Sequence, residues 1–258
     1  QLTEKFRGSP ADGRWNIQSM ETDNPMFLDN FLDKFSLLDW FGLGWFLLCW
    51  LGYEVVVERG WIGRKSLLLE THRMRQEWGR VMLTREPRIV DAALIANLLH
   101  SLSFYANTSI YIIAALFAAL GALDHLMMIA SDMPFAHVLS REAMEIKLLI
   151  LIGVFIVAYF KFTWSLRQFN LLSITLGSVP QKASPEVMEK HAQRFATVNQ
   201  CAGNDFNRGL RAYYFGMAVM AWMVSPWLFI LTTLIIVIVL ARREFYSPVL
   251  QALIEEES

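Results

Sequence analysis

Two cysteines and five histidines in 258 residues leave little material for thiol or metal chemistry. Cys49 lies inside an apolar run and Cys201 in a charged segment, so no disulfide between them is expected. His72, His100, His125, His137 and His191 are scattered. They form no paired-histidine helix motif, and no Cys-x-x-Cys is present. The chain also lacks a glycine loop that would cradle a phosphate and a Gly-x-Ser-x-Gly elbow. The expectation is therefore a protein that is not an enzyme and holds no metal or cofactor. Charge of one sign is missing too: 23 Lys and Arg stand against 24 Asp and Glu, which gives no overall attraction to nucleic acid.

Long apolar runs, in contrast, are abundant. Four occupy about residues 40–57, 102–123, 146–164 and 212–241, each close to the ~20 residues that a helix needs to cross ~30 Å of hydrocarbon. A soluble bundle would show a polar stripe along every helix, whereas 148–160 and 229–240 have almost none. The reading is an all-α integral membrane protein with four transmembrane helices, its membrane domain covering 37–253. Residues 1–36 are expected to be a disordered leader, or sequence upstream of a start at Met20 or Met26, ending in a short interfacial helix. Residues 254–258 form an acidic tail. No segment matches a cleavable signal peptide.

Basic residues give the orientation, because they are retained on the cytoplasmic side. Arg59, Arg64, Lys65, Arg73, Arg75, Arg80, Arg85 and Arg88 lie between the first two runs; Lys161, Arg167, Lys182, Lys190, Arg194, Arg208 and Arg211 lie between the last two. Two basic, helical cytoplasmic insertions follow, with both termini outside a bacterial inner membrane. Arg242 and Arg243, directly after the last run, oppose that placement of the C-terminus. Local signals add detail. Ser36 and Asp39 have capping-box spacing, Ser140 caps a third long helix, and Ser184 with Pro185 starts another. One helix should run from about 87 to 123. Gly203 and Gly209 should punctuate the entry to the last span, and Pro226 should kink it.

Three groups of segments carry a family resemblance: His-Arg-Met-Arg-Gln-Glu-Trp at 72–78 with Arg-Glu-Pro-Arg-Ile-Val-Asp at 85–91; Ser-Leu-Ser-Phe-Tyr-Ala-Asn-Thr-Ser at 101–109; and Lys-Phe-Thr-Trp-Ser-Leu-Arg-Gln-Phe-Asn at 161–170 with Phe-Asn-Arg-Gly-Leu-Arg-Ala-Tyr-Tyr at 206–214. Over about 37–253 the chain resembles the bacterial and plant membrane family catalogued as domain-of-unknown-function family 599. The resemblance implies a four-span inner-membrane protein and brings no activity with it.

Three constellations stand out. On the second span Asn97, His100, Ser101, Phe104, Asn107, Thr108 and Tyr111 recur at three- and four-residue spacing, followed by alanines. Such a polar stripe either packs helices together or lines a watery path. Glu54, Lys161 and Arg211 reach similar depth near the cytoplasmic mouth, where Glu54 and Lys161 either snorkel separately or form an ion pair. Arg73, Arg75, Arg80, Arg85 and Arg88 make a basic inner surface suited to anionic lipid, with Trp78 placed to stack on a guanidinium. The functional expectation is a homo-oligomeric channel or transporter for a small solute or ion. The alternative is a non-catalytic scaffold or assembly factor that binds lipid or partner membrane proteins through its basic loops.

Overall fold

The computed structural model describes residues 35–59, 66–131 and 140–255. Every regular element among them is helical: α1 (Leu37–Arg59), α2 (Leu67–Val81), α3 (Ile89–Gly121), α4 (Leu123–Ser131), α5 (Arg141–Gly177), α6 (Pro185–Trp222), α7 (Pro226–Phe245) and α8 (Pro248–Glu255), with one 3-10 turn at Met82–Thr84. The expected interfacial helix before residue 35 lies outside the described residues. Among the described residues, three stretches are long and apolar enough to cross a membrane: Leu37–Glu58, Ile89–Gly121 and Arg141–Gly177. At 33 residues, α3 is ~50 Å long and overshoots the hydrocarbon, as its unbroken sequence leads one to expect.

Helix starts follow local chemistry. The Ser36–Asp39 box is reciprocal: the Asp39 amide donates to Ser36 Oγ at 3.1 Å, and the Ser36 amide donates to Asp39 Oδ2 at 3.1 Å. Ser66 and Ser140 accept from the amides of Leu69 and Ala143 and so cap α2 and α5. The start of α2 has a second acceptor from far along the chain, since the Leu68 amide donates to Glu244 Oε1 at 2.8 Å.

The last apolar run departs from expectation. It is not one kinked span but a helical hairpin: α6 stops at Trp222, and Pro226 is the first-turn residue of a new helix capped by Ser225. Trp222 stacks on Phe229 with centroids 4.7 Å apart, and Arg243 Nη1 donates to Tyr214 Oη at 2.8 Å. These contacts require α7 to run antiparallel to α6. Arg242 and Arg243 therefore return to the end that holds α2, while Asp39 and Trp222 mark the opposite end. The start of α1 and the end of α7 thus lie at opposite ends of the bundle.

Packing centres on α5 and α6. In lipid, apolar burial drives little helix association, so close backbone approach and polar contacts must do it. Gly209 and Gly216 supply the approach. A Cβ on Gly209 would stand 2.5 Å from the Phe162 ring, and one on Gly216 3.1 Å from that of Phe155. Neither Gly203 nor Gly209 interrupts α6, contrary to the expected punctuation; they are contact points. Ser165 Oγ donates to the Ala202 carbonyl at 2.6 Å and adds a polar tie between the same helices. Outside this pair, Gly79 docks α2 on α6, with room for a Cβ denied by the Ala192 carbonyl at 2.7 Å.

Candidate functional site

Charges converge where the spans meet the basic segments. On α1, Glu54 and Glu58 are one turn apart on a single face; on α6, Asp205, Arg208 and Arg211 recur every third residue. Arg208 is the hub. Its Nε lies 3.2 Å from Glu54 Oε1 and donates to Glu58 Oε1 at 2.6 Å, and its Nη1 donates to Asp205 Oδ1 at 3.3 Å. Arg211 faces Glu58 at 3.7 Å. Asp205 also receives Lys161 Nζ at 3.4 Å and Gln168 Nε2 at 2.7 Å.

Glu54, Lys161 and Arg211 therefore share one network, without a direct Glu54–Lys161 pair. Glu54 pairs with Arg208 and Lys161 with Asp205, so Asp205 and Arg208 bridge the two. Both bridging residues were missed, although their spacing with Arg211 was visible in the sequence.

A second charged group, also missed, lies at the other end. Lys147, Asp39 and Trp222 are all buried, with Lys147 Nζ 3.0 Å from Asp39 Oδ1 and 3.3 Å from the Trp222 carbonyl. Trp222 Nε1 donates to the same Asp39 oxygen at 2.7 Å. The group joins α1, α5 and the tip of the α6–α7 hairpin.

The stripe on α3 points away from this machinery. Asp91, Ile95, Leu102, Ala106 and Ser109 face the bundle, where Ser109 Oγ meets Tyr213 Oη at 2.8 Å. Asn97, His100, Asn107 and Tyr111 are exposed on the opposite side; Ser101 is exposed at the flank, beside Arg75 and Arg211, and Thr108 is half-buried with its hydroxyl bonded to the Phe104 carbonyl. Asn97, His100, Asn107 and Tyr111 are thus brought onto one outward face, with Ser101 and Thr108 at its edge.

The basic inner surface is less uniform than its sequence suggests. Arg80 pairs with Glu189 at 3.3 Å in solvent. Arg85 binds the wholly buried Asp91 at 2.9 Å, and Arg88 donates to the Val179 carbonyl at 3.3 Å. Arg73 is exposed; Arg75 is turned inward against Gly203, whose missing Cβ leaves room for the guanidinium. Trp78 does not stack on an arginine. It packs edge-on against Phe195 and donates to Asp91 Oδ1 at 2.7 Å. Among the described residues no group of three His, Cys, Asp or Glu side chains is placed to hold a metal ion.

The family model described as "Protein of unknown function, DUF599" matches residues 41–249, which include all of these groups except Asp39. Neither the curated proteins nor the solved structures contain a match to the chain.

Proposed function

The chain belongs to the family of proteins of unknown function DUF599, and from that premise we propose that it is a non-catalytic inner-membrane protein that assembles with copies of itself to pass a small solute or ion. The observation that carries this reading is the outward face of α3. An amide, an imidazole and a phenol, from Asn107, His100 and Tyr111, project away from the protein's own core along a helix long enough to cross the bilayer. Polar groups at membrane depth are costly toward lipid and are found facing protein or water. A homo-oligomer with α3 at its interface or along a central path removes that cost. In this arrangement the α6–α7 hairpin joins the three apolar helices in the membrane, the basic segments lie inside, and the Arg208 network sits at the inner mouth.

The scaffold alternative draws on free basic loops, yet Arg80 and Arg85 have acidic partners within the chain, which weakens it. Reconstitution decides between the two. The expected result is an oligomer in detergent and solute or ion flux in proteoliposomes; a monomer with no flux for any ion or small solute tested would remove the proposal.

A further inference from the structure

Between α1, α2, α3, α6 and α7 lies a cavity of about 410 Å³ whose wall contains three arginines, Arg75, Arg211 and Arg243. Each comes from a different helix, and they are unequally engaged. Arg75 has no hydrogen bond or ion pair among the described residues, and its Nη1 is sealed from solvent without an acceptor. Arg211, with a side chain only 10% exposed, reaches Glu58 at 3.7 Å, beyond hydrogen-bond distance, and its Nη1 likewise has no acceptor. Arg243 uses one N–H on Tyr214. The one carboxylate in the wall, Glu244, is already held by the Leu68 amide at the start of α2. Buried guanidinium donors without acceptors are rare, since each gives up hydration for nothing. Burial of Arg75 pushes its pKa below the ordinary arginine value, as expected of a cation without a counter-charge.

The rest of the wall is apolar. Leu98 and Leu102 of α3 and Leu240 of α7 extend it toward the spans. The cavity thus straddles the level at which apolar runs give way to charged segments, the depth of lipid phosphates. We propose that this cavity binds a phosphate-bearing anion, with Arg75, Arg211 and Arg243 on the phosphate oxygens and the leucine wall beside an attached hydrocarbon chain. Planar guanidiniums with several N–H groups match phosphate geometry better than lysines do. Two sources carry this chemistry: an anionic phospholipid and free phosphate. The proposal does not depend on solute passage.

The test uses the full chain in detergent. Thermal stabilisation is titrated separately with micelles containing phosphatidylglycerol, with micelles containing phosphatidylcholine, and with inorganic phosphate at matched ionic strength. Stabilisation by phosphatidylglycerol beyond phosphatidylcholine supports a lipid site; stabilisation by inorganic phosphate alone supports a soluble anion at the same arginines. Arg243→Gln, at an exposed position, should weaken the response about tenfold, the scale of one lost charge-assisted hydrogen bond. Arg75→Gln should do the same. Arg80→Gln removes an equal charge outside the cavity and should leave the response intact. The proposal is overturned by no response to any anion, by an undiminished response in Arg243→Gln, or by an equal loss in Arg80→Gln, which would mean diffuse attraction to a basic surface.

Discussion

Lys147 Nζ lies 3.0 Å from Asp39 Oδ1, and neither side chain meets solvent to any useful degree, at 0% and 6% exposure. The lysine ammonium also sits over the Trp222 ring, 4.9 Å from its centroid. One ion pair therefore fastens α1 and α5 to the turn that reverses α6 into α7. A sealed pair contributes less through its own attraction than through the cost of breaking it. Lys147→Met should lower stability in detergent by ~3–5 kcal/mol, because a buried carboxylate loses its counter-ion. Asp39→Asn combined with Lys147→Met should lose distinctly less. Additive losses in the double-mutant cycle would show that the two residues act independently.

The network at the other end is organised by Arg208, not by a direct Glu54–Lys161 pair. Arg208→Gln removes the cation from Glu54 and leaves Glu58 with Arg211 and Asp205 with Lys161 and Gln168. The side chain is 30% exposed, so solvent screens part of the penalty, and a loss of about 1–3 kcal/mol is expected. Coupling between Glu58 and Arg208 in a cycle should exceed that between Glu54 and Lys161, which should fall within about 0.5 kcal/mol of zero. Stronger coupling for the second pair would reverse this ordering of the network.

What the sequence disclosed was local, and what it hid was relational. The bounds of α3, the caps at Ser36 and Ser140 and the helix start at Ser184 with Pro185 were legible because apolar continuity and local start signals act within a few residues. The hairpin was not. Hydropathy adds the end of α6 to α7 across Met223, Val224 and Ser225, which include no glycine or asparagine to mark a reversal, and Pro226 reads equally as a kink or a first turn. Periodicity likewise put the α3 stripe on one face without saying that the face looks outward. Charge depth grouped Glu54, Lys161 and Arg211; which carboxylate meets which cation depended on the rotation of three helices.

The hairpin also has a topological consequence. Single cysteines at Ser184 and Ser247, in a background without Cys49 and Cys201, should react alike with an impermeant reagent in intact cells. Asp124→Cys should react oppositely, since α3 separates the α2 end from the exposed Asp124. Labelling of Ser247→Cys together with Asp124→Cys would restore the single-span reading of the last run.

His72 makes the docking of α2 sensitive to acid. Gln200 Nε2 donates to its Nδ1 at 2.9 Å, and its Nε2 stands 2.9 Å from Asn204 Oδ1, which suits a neutral ring donating from Nε2. Burial, with Arg75 nearby, holds the imidazole below its ordinary value of 6.5, against the opposing Asn204 bond and Glu244. As pH falls below 6.5, the unfolded chain takes up a proton before the folded one does, so stability declines. Hydrogen exchange in α2, corrected for intrinsic rates, should speed up between pH 7.5 and 5.5, and His72→Gln should flatten that change. An identical pH response in the variant would assign the sensitivity to another group.

Asn107 tests the outward face of α3. Asn107→Leu keeps approximate volume and removes every hydrogen bond the amide can make. If neighbouring copies meet there, association should weaken by about 0.6–2 kcal/mol, the range for hydrogen bonds between membrane helices. If the face lines water, flux should fall while oligomer mass and stability stay near those of the parent, because a hydrated amide contributes little to the fold. Ile110, at 46% exposure on the same helix, is the control, and Ile110→Leu should change neither quantity. The association effect is expected to dominate, since α3 exposes polar groups over several turns and not at one level only. Normal assembly together with normal flux in Asn107→Leu would remove this residue, and with it the middle of the stripe, from the functional surface.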